Sequence, residues 1–186
     1  MQQAIEDPVR AGKRVCAVLY GHPGVFAQIG RKTMRSLIAD GMRARMEPGI
    51  SAEACLYADL DLDPGESGVI SLEATQFLVQ QRTIDPHGLL LLWQVAQTGN
   101  LECTGFDADP RRIQLLVDKL QRWYPEDTGI ILYEAATLPI RDVSAERIAL
   151  GELASARLAA ATTVVIPPIA AAPRDSAALR ELAGLD

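Results

Sequence analysis

Residues 14–26, RVCAVLYGHPGVF, constrain the fold more than any other stretch of this chain. They open with Val15-Cys16-Ala17-Val18-Leu19, an unbroken apolar run. Such a run predicts a strand buried on both faces, as in a parallel sheet. It breaks abruptly into Tyr20-Gly21-His22-Pro23-Gly24. The glycines permit backbone angles that other residues avoid, and Pro23 fixes its own φ. Open α/β sheets place ligands where a buried strand ends in such a turn. Taken alone, the four residues GHPG fit an ordinary strand-to-loop corner equally well.

The rest of the chain alternates apolar runs with helical periodicity. Residues 1–13 predict a helix interrupted by Pro8 and closed at Gly12. Ile29, Met34, Leu37 and Ile38 predict a helix ended by Gly41, and residues 42–46 a short strand. Ser51 predicts an N-cap for a helix beginning at Ala52, with Glu53 in its first turn. Residues 61–68 are polar, with Pro64, Gly65 and Gly68, and predict a linker. Beyond it come strands at 69–72, 88–95, 129–133 and 162–166, and helices at 73–81, 109–124 and 143–158. The tail, 169–186, predicts at most a short helix.

Composition excludes several roles. Of 186 residues 48% are hydrophobic and 23% charged, a globular balance. The net charge of −6 argues against a nucleic-acid partner. No apolar run is long enough to span a membrane, and the first residues lack the basic and apolar regions of a secretory signal. Cys16, Cys55 and Cys103 form no CxxC pair, and His22 and His87 lack metal-ligand spacing, so no metal is expected. A reducing cytoplasm is the simplest home. The dinucleotide fingerprint GxGxxG is absent, which disfavours a Rossmann-type site.

Three pieces in order, Tyr-Gly-His-Pro-Gly-Val-Phe from Tyr20, Glu-Pro-Gly-Ile-Ser-Ala-Glu from Glu47, and Leu-Trp-Gln-Val from Leu92, continue to Ile166-Pro167-Pro168. Together they resemble the tetrapyrrole methylase superfamily of S-adenosylmethionine (SAM)-dependent methyltransferases. Within it they most resemble the borosin branch, the peptide-backbone α-N-methyltransferases. The resemblance implies an α/β, two-lobed fold with the SAM cleft between the lobes. The remainder of the first lobe would span 1–60, the linker 61–68, the second lobe 69–168 and the tail 169–186. It places Tyr20, His22, Val25, Phe26, Ser51 and Ala52 on the cofactor from the first lobe, and Gln94, Tyr133, Ala135, Ala136, Thr162 and Thr163 from the second. It further implies a homodimer. The tail offers no hydrophobic core peptide, so the substrate is expected to be a separate precursor peptide.

The borosin domain begins with a strand, a glycine-rich turn and a tyrosine- and arginine-bearing segment implicated in amide activation. All of these would lie upstream of Met1, so the first lobe is expected to be truncated and no catalytic base is assigned. Two other readings stay open: a carbon methylase of tetrapyrrole or precorrin intermediates, and a SAM-binding or scaffold fragment without catalysis.

Overall fold

The computed structural model describes every residue except 103, 104, 106, 137, 139 and 186. Cys103, which figures in the sequence reading, thus lies outside the described residues. The chain forms two compact units, Met1–Asp61 and Leu62–Asp186.

The first unit is built on helices. Helix α1 (Gln2–Arg10) carries Pro8 inside it, and α2 spans Gln28–Ala39. Both end alike. Gly12 and Gly41 take left-handed φ values of 82° and 76°. The next amide then reaches back: Lys13 N–H donates to Pro8 O, and Met42 N–H to Leu37 O, each at 2.9 Å. That bond satisfies carbonyls the helix end leaves open, and only glycine adopts the required φ without strain. Helix α3 (Ala52–Asp59) starts as predicted: Ala54 N–H donates to Ser51 Oγ at 3.4 Å. Arg10 ties α1 to α2 through Asp40 (Nη2 to Oδ2, 2.8 Å) and also holds Glu6 on its own helix (3.1 Å).

Two expectations fail in this unit. Residues 15–19 and 42–46 form no strand. Val15 and Val18 are exposed, Val18 at 91%. Exposure alternates along 42–46, as in an extended segment, but among the described residues no strand pairs with it. The sequence supplied the strand chemistry correctly. What is missing is a neighbour: a strand is buried and counted as a strand only when ladders flank it.

The second unit is an α/β layer. After α4 (Pro64–Ser67), strands β1 (Val69–Glu73), β2 (Leu89–Trp93), β3 (Gly129–Glu134), β4 (Ser144–Ala149) and β5 (Thr163–Ile166) form one sheet in the order β1-β2-β5-β3-β4. The expectation of a parallel sheet is met only by β1 and β2; the other three pairings are antiparallel. Helices α5 (Ala74–Val79) and α6 (Pro110–Leu120) and the 3-10 turn Leu150–Ser155 cover one face. Ile113, Leu116, Val117 and Leu120 of α6 meet Leu90, Leu92, Ile130, Leu132, Val164 and Ile166 there. Pro110 opens α6, with Asp109 as its N-cap.

The helix predicted over 143–158 is instead the edge strand β4 followed by the 3-10 turn. Its alanines and leucines have good helix propensity, but β3 offers six register partners from Gly129 to Glu134, and that pairing prevails. Edge residues Glu146 and Arg147 are exposed, and such charges discourage further pairing. A last helix, α7 (Ser176–Ala183), buries nothing.

Candidate functional site

In the first unit the 20–26 loop is folded onto the chain just before α3. A Cβ at Gly49 would lie 2.8 Å from Gly21 O, so glycine is what allows the two backbones to approach so closely. Gly21 and His22 thereby lie against Gly49, and Gly21 also near the Ile50 carbonyl, one residue before Ser51. Gly24 N–H donates to His22 Nδ1 at 3.0 Å, and Val25 N–H to His22 O at 3.3 Å. An acceptor Nδ1 leaves Nε2 to carry the ring proton, so the histidine shapes its own turn and keeps one donor in reserve. Phe26 has φ 49°, a rare setting for an aromatic residue. Tyr20 (78% exposed) and Ile50 (73%) stand with Val25 and Phe26 as uncovered apolar surface. The Ser51 hydroxyl is occupied by the cap. One turn on, the Tyr57 hydroxyl donates to Glu53 Oε1 at 2.8 Å; burial, and then that carboxylate, push its pKa up.

In the second unit Tyr133 stands opposite Thr163 in register. The pairing of β2 with β5 ends at Leu92↔Val164, and Gln94 follows two residues later, just beyond β2. Ala135 and Ala136 continue from β3 at the same end. Gln94 is exposed and left-handed (φ 58°, ψ 37°), so the chain turns sharply off β2 into the 3-10 turn Val95–Gln97. Among the described residues Phe26, Asp61 and Gln94 are the non-glycine residues with positive φ. Such outliers gather at binding sites, where packing holds what the backbone disfavours. Tyr133 and Thr162 are each only 1% exposed. Their side chains belong to the interior.

Sequence reasoning missed the side chains that brace this end. Glu134 accepts the Thr162 hydroxyl proton. Glu73, which ends β1, caps α5 by accepting from Thr75 N–H (2.9 Å) and Gln76 N–H (2.7 Å). Trp93 Nε1–H donates to Ser71 Oγ at 2.8 Å. The signal for Glu73 was present, an acidic residue directly before a helical run. The other two pairs join residues 28 and 22 positions apart, which no local pattern reveals. Among the described residues no group of three or more His, Cys, Asp or Glu could hold a metal ion. No helix among them is long and apolar enough to cross a membrane.

The mixed five-stranded order with helices on its face defines an α/β protein of the kind seen in tetrapyrrole methylases. A uroporphyrin-III-C-methyltransferase from Thermus thermophilus has the same fold at TM-score 0.64 and 17% identity, over 90% of this chain and 72% of that one. The S-adenyl homocysteine complex of a Thermus thermophilus uroporphyrin-III C-methyl transferase gives TM-score 0.52 and 15% identity, over 79% and 62%. In sequence, the methyltransferase/ribosomally synthesized type I borosin cyclic peptide precursor of Coprinopsis marcescibilis is 37% identical over 90% of this chain and 44% of its own length. The Tetrapyrrole (Corrin/Porphyrin) Methylases family matches residues 1–154. The chain belongs to that family. It spans less than half the length of the curated relatives it matches.

Proposed function

We propose that this chain is the methyltransferase portion of a SAM-dependent enzyme that methylates backbone amide nitrogens of a ribosomal peptide. The observation that carries the reading is the 37% identity to a borosin methyltransferase over 90% of the chain, about twice the identity to the tetrapyrrole enzymes that share the fold. SAM presents a flat adenine, a ribose and a charged methionine end, which call for uncovered apolar surface and backbone polar groups. The loop with Tyr20, Val25 and Phe26 offers the first. The small Ala135 and Ala136, beside Gln94 and the backbone of Tyr133, Thr162 and Thr163, offer the second.

SAM supplies an electrophilic methyl when bound. The chain's own task is to hold that methyl in line with the incoming nitrogen, since alignment alone can contribute much of the rate. An amide lone pair is delocalised, so the reaction also needs a proton acceptor or a stabilised imidate-like charge. His22, with its spare Nε2–H, serves cofactor binding rather than proton abstraction. The peptide is a separate chain, the enzyme a homodimer and its compartment the cytoplasm.

Calorimetry with S-adenosylhomocysteine tests the cofactor assignment. Heat of binding that His22→Ala weakens by about 1–2 kcal/mol, the cost of an unpaired polar partner, is the expected result. No heat at millimolar ligand (on the order of ordinary cellular cofactor levels and above) removes the assignment. Methylation of an added precursor peptide, read by fragment masses at the backbone nitrogens, separates this reading from carbon methylation of a tetrapyrrole.

A further inference from the structure

We infer that Glu134 is a positioning residue for the cofactor end of the second unit, acting through Thr162; the inference rests on the SAM reading above. The Thr162 hydroxyl donates to Glu134 Oε1 at 2.5 Å. Thr162 Oγ1 itself accepts from Ala159 N–H at 2.8 Å, and Thr162 N–H donates to Ala159 O at 3.0 Å. A hydroxyl has one proton to give, and here it goes to the carboxylate. Thr162 therefore has no donor left for a ligand. Its side chain closes the 159–162 turn and fixes where β5 begins.

That start matters because of where it lies. Residue 162 precedes β5 directly beyond the pair Tyr133↔Thr163, where its hydroxyl meets Glu134. The strand itself does not need the bond: Val164 and Val165 pair with both β2 and β3. What the bond adds is a single setting for the first residue of β5, at the end where Gln94 turns away and β3 runs on to Ala135. Glu134 does this from a half-buried position. Its carboxylate also lines an open pocket of about 330 Å³ with Leu132, Ser144, Glu146, Arg157 and Ala159. A carboxylate facing such an opening could relax into solvent, and the short bond to Thr162 is what retains it.

The test is a double-mutant cycle on S-adenosylhomocysteine affinity, with the unliganded thermal midpoint measured beside it. Glu134→Ala and Thr162→Val should each weaken binding about tenfold, and the double variant no further, because both remove one bond. Glu134→Gln keeps an acceptor and Thr162→Ser keeps the hydroxyl, so both should bind within about threefold of the parent. Thr162→Val is nearly isosteric and carries the test should Glu134→Ala not fold. Unchanged affinity in the valine variant, multiplied losses in the double variant, or failure of the conservative pair to restore binding each overturns the inference. A parent protein that does not bind removes the SAM reading and this inference with it. A parent that binds alongside indifferent variants removes the inference alone.

Discussion

The runs at residues 15–19 and 89–93 are both wholly apolar and opposite in fate. Leu89–Trp93 is buried along its whole length, flanked by β1 on one side and β5 on the other. Residues 15–19 are extended, unpaired among the described residues and mostly exposed. Apolar, β-prone residues state that a segment can be buried. Only flanking strands and a covering layer make it so. The second unit contains those partners within its own residues. The first unit buries Thr33, Leu37 and Leu56 but leaves its best strand sequence open.

The largest effect separates the two runs directly. Leu91→Ala deletes a fully buried side chain from the interior strand β2 and should cost about 2–5 kcal/mol, depending on how far the cavity collapses. Val18→Ala, at an exposed position, should change stability by less than about 0.5 kcal/mol. Both tryptophans, Trp93 and Trp123, lie in the second unit, so urea unfolding read by their fluorescence reports that unit alone, and circular dichroism reports the whole chain. A large loss on Val18→Ala would break the comparison, because it would mean that something covers residues 15–19 in solution.

Lys119 sharpens the contrast in a second way. Its ammonium is nearly buried and donates to Phe77 O (2.5 Å), Leu78 O (2.9 Å) and Gln80 O (2.6 Å), with the Phe77 ring 4.8 Å away. One cation thus satisfies the open carbonyls at the end of α5. Burial lowers its pKa, with Arg122 and Arg82 adding to the effect. Lys119→Met leaves those carbonyls without a partner and should cost about 2–3 kcal/mol in the tryptophan-detected transition. Arg10→Met in the first unit, where the clamp is 40% exposed, should leave that transition unmoved.

Local signals made much of the fold legible. Proline at the first turn marked α6, serine marked α3, glycines closed α1 and α2, and apolar runs marked β2 and β3. Strand direction was not legible, since the parallel expectation came from burial and burial does not distinguish parallel from antiparallel neighbours. Nor was β4, whose residues choose strand only because β3 is there to pair with. The candidate site divides in the same way. The loop around His22 and the turn at Gln94 lie next to glycine and strand-end signals. The Glu134–Thr162 and Ser71–Trp93 bonds arise only once distant strands are in register.

The smallest predicted effect concerns acid, and it tests how each unit is held. In the first unit α1 buries one residue, Glu6. The hydrogen bond from Gln2 Nε2 (2.7 Å) chiefly lowers its pKa below 4.5, with Ser36 and Arg10 adding to the effect and desolvation opposing it. In the second unit Asp109 caps α6, and its pKa is lowered first by the Arg111 side chain and then by the Arg111 backbone N–H. For both groups the folded value lies below the unfolded one, so the stabilisation is full above the ordinary carboxylate range and is lost as pH falls through the folded value. The consequences should differ. Protonating Asp109 removes a cap from a helix that Ile113, Leu116, Val117 and Leu120 still anchor. Protonating Glu6 removes the acceptor of Gln2 and Arg10 from a helix with no fully buried apolar residue. Acidification should therefore shift the Gln2 side-chain amide resonances with a midpoint below 4.5 and loosen α1, while the α6 amides stay protected from exchange. Glu6→Gln should abolish that titration. Loss of α6 protection first would mean that the polar clamp in the first unit is the stronger of the two.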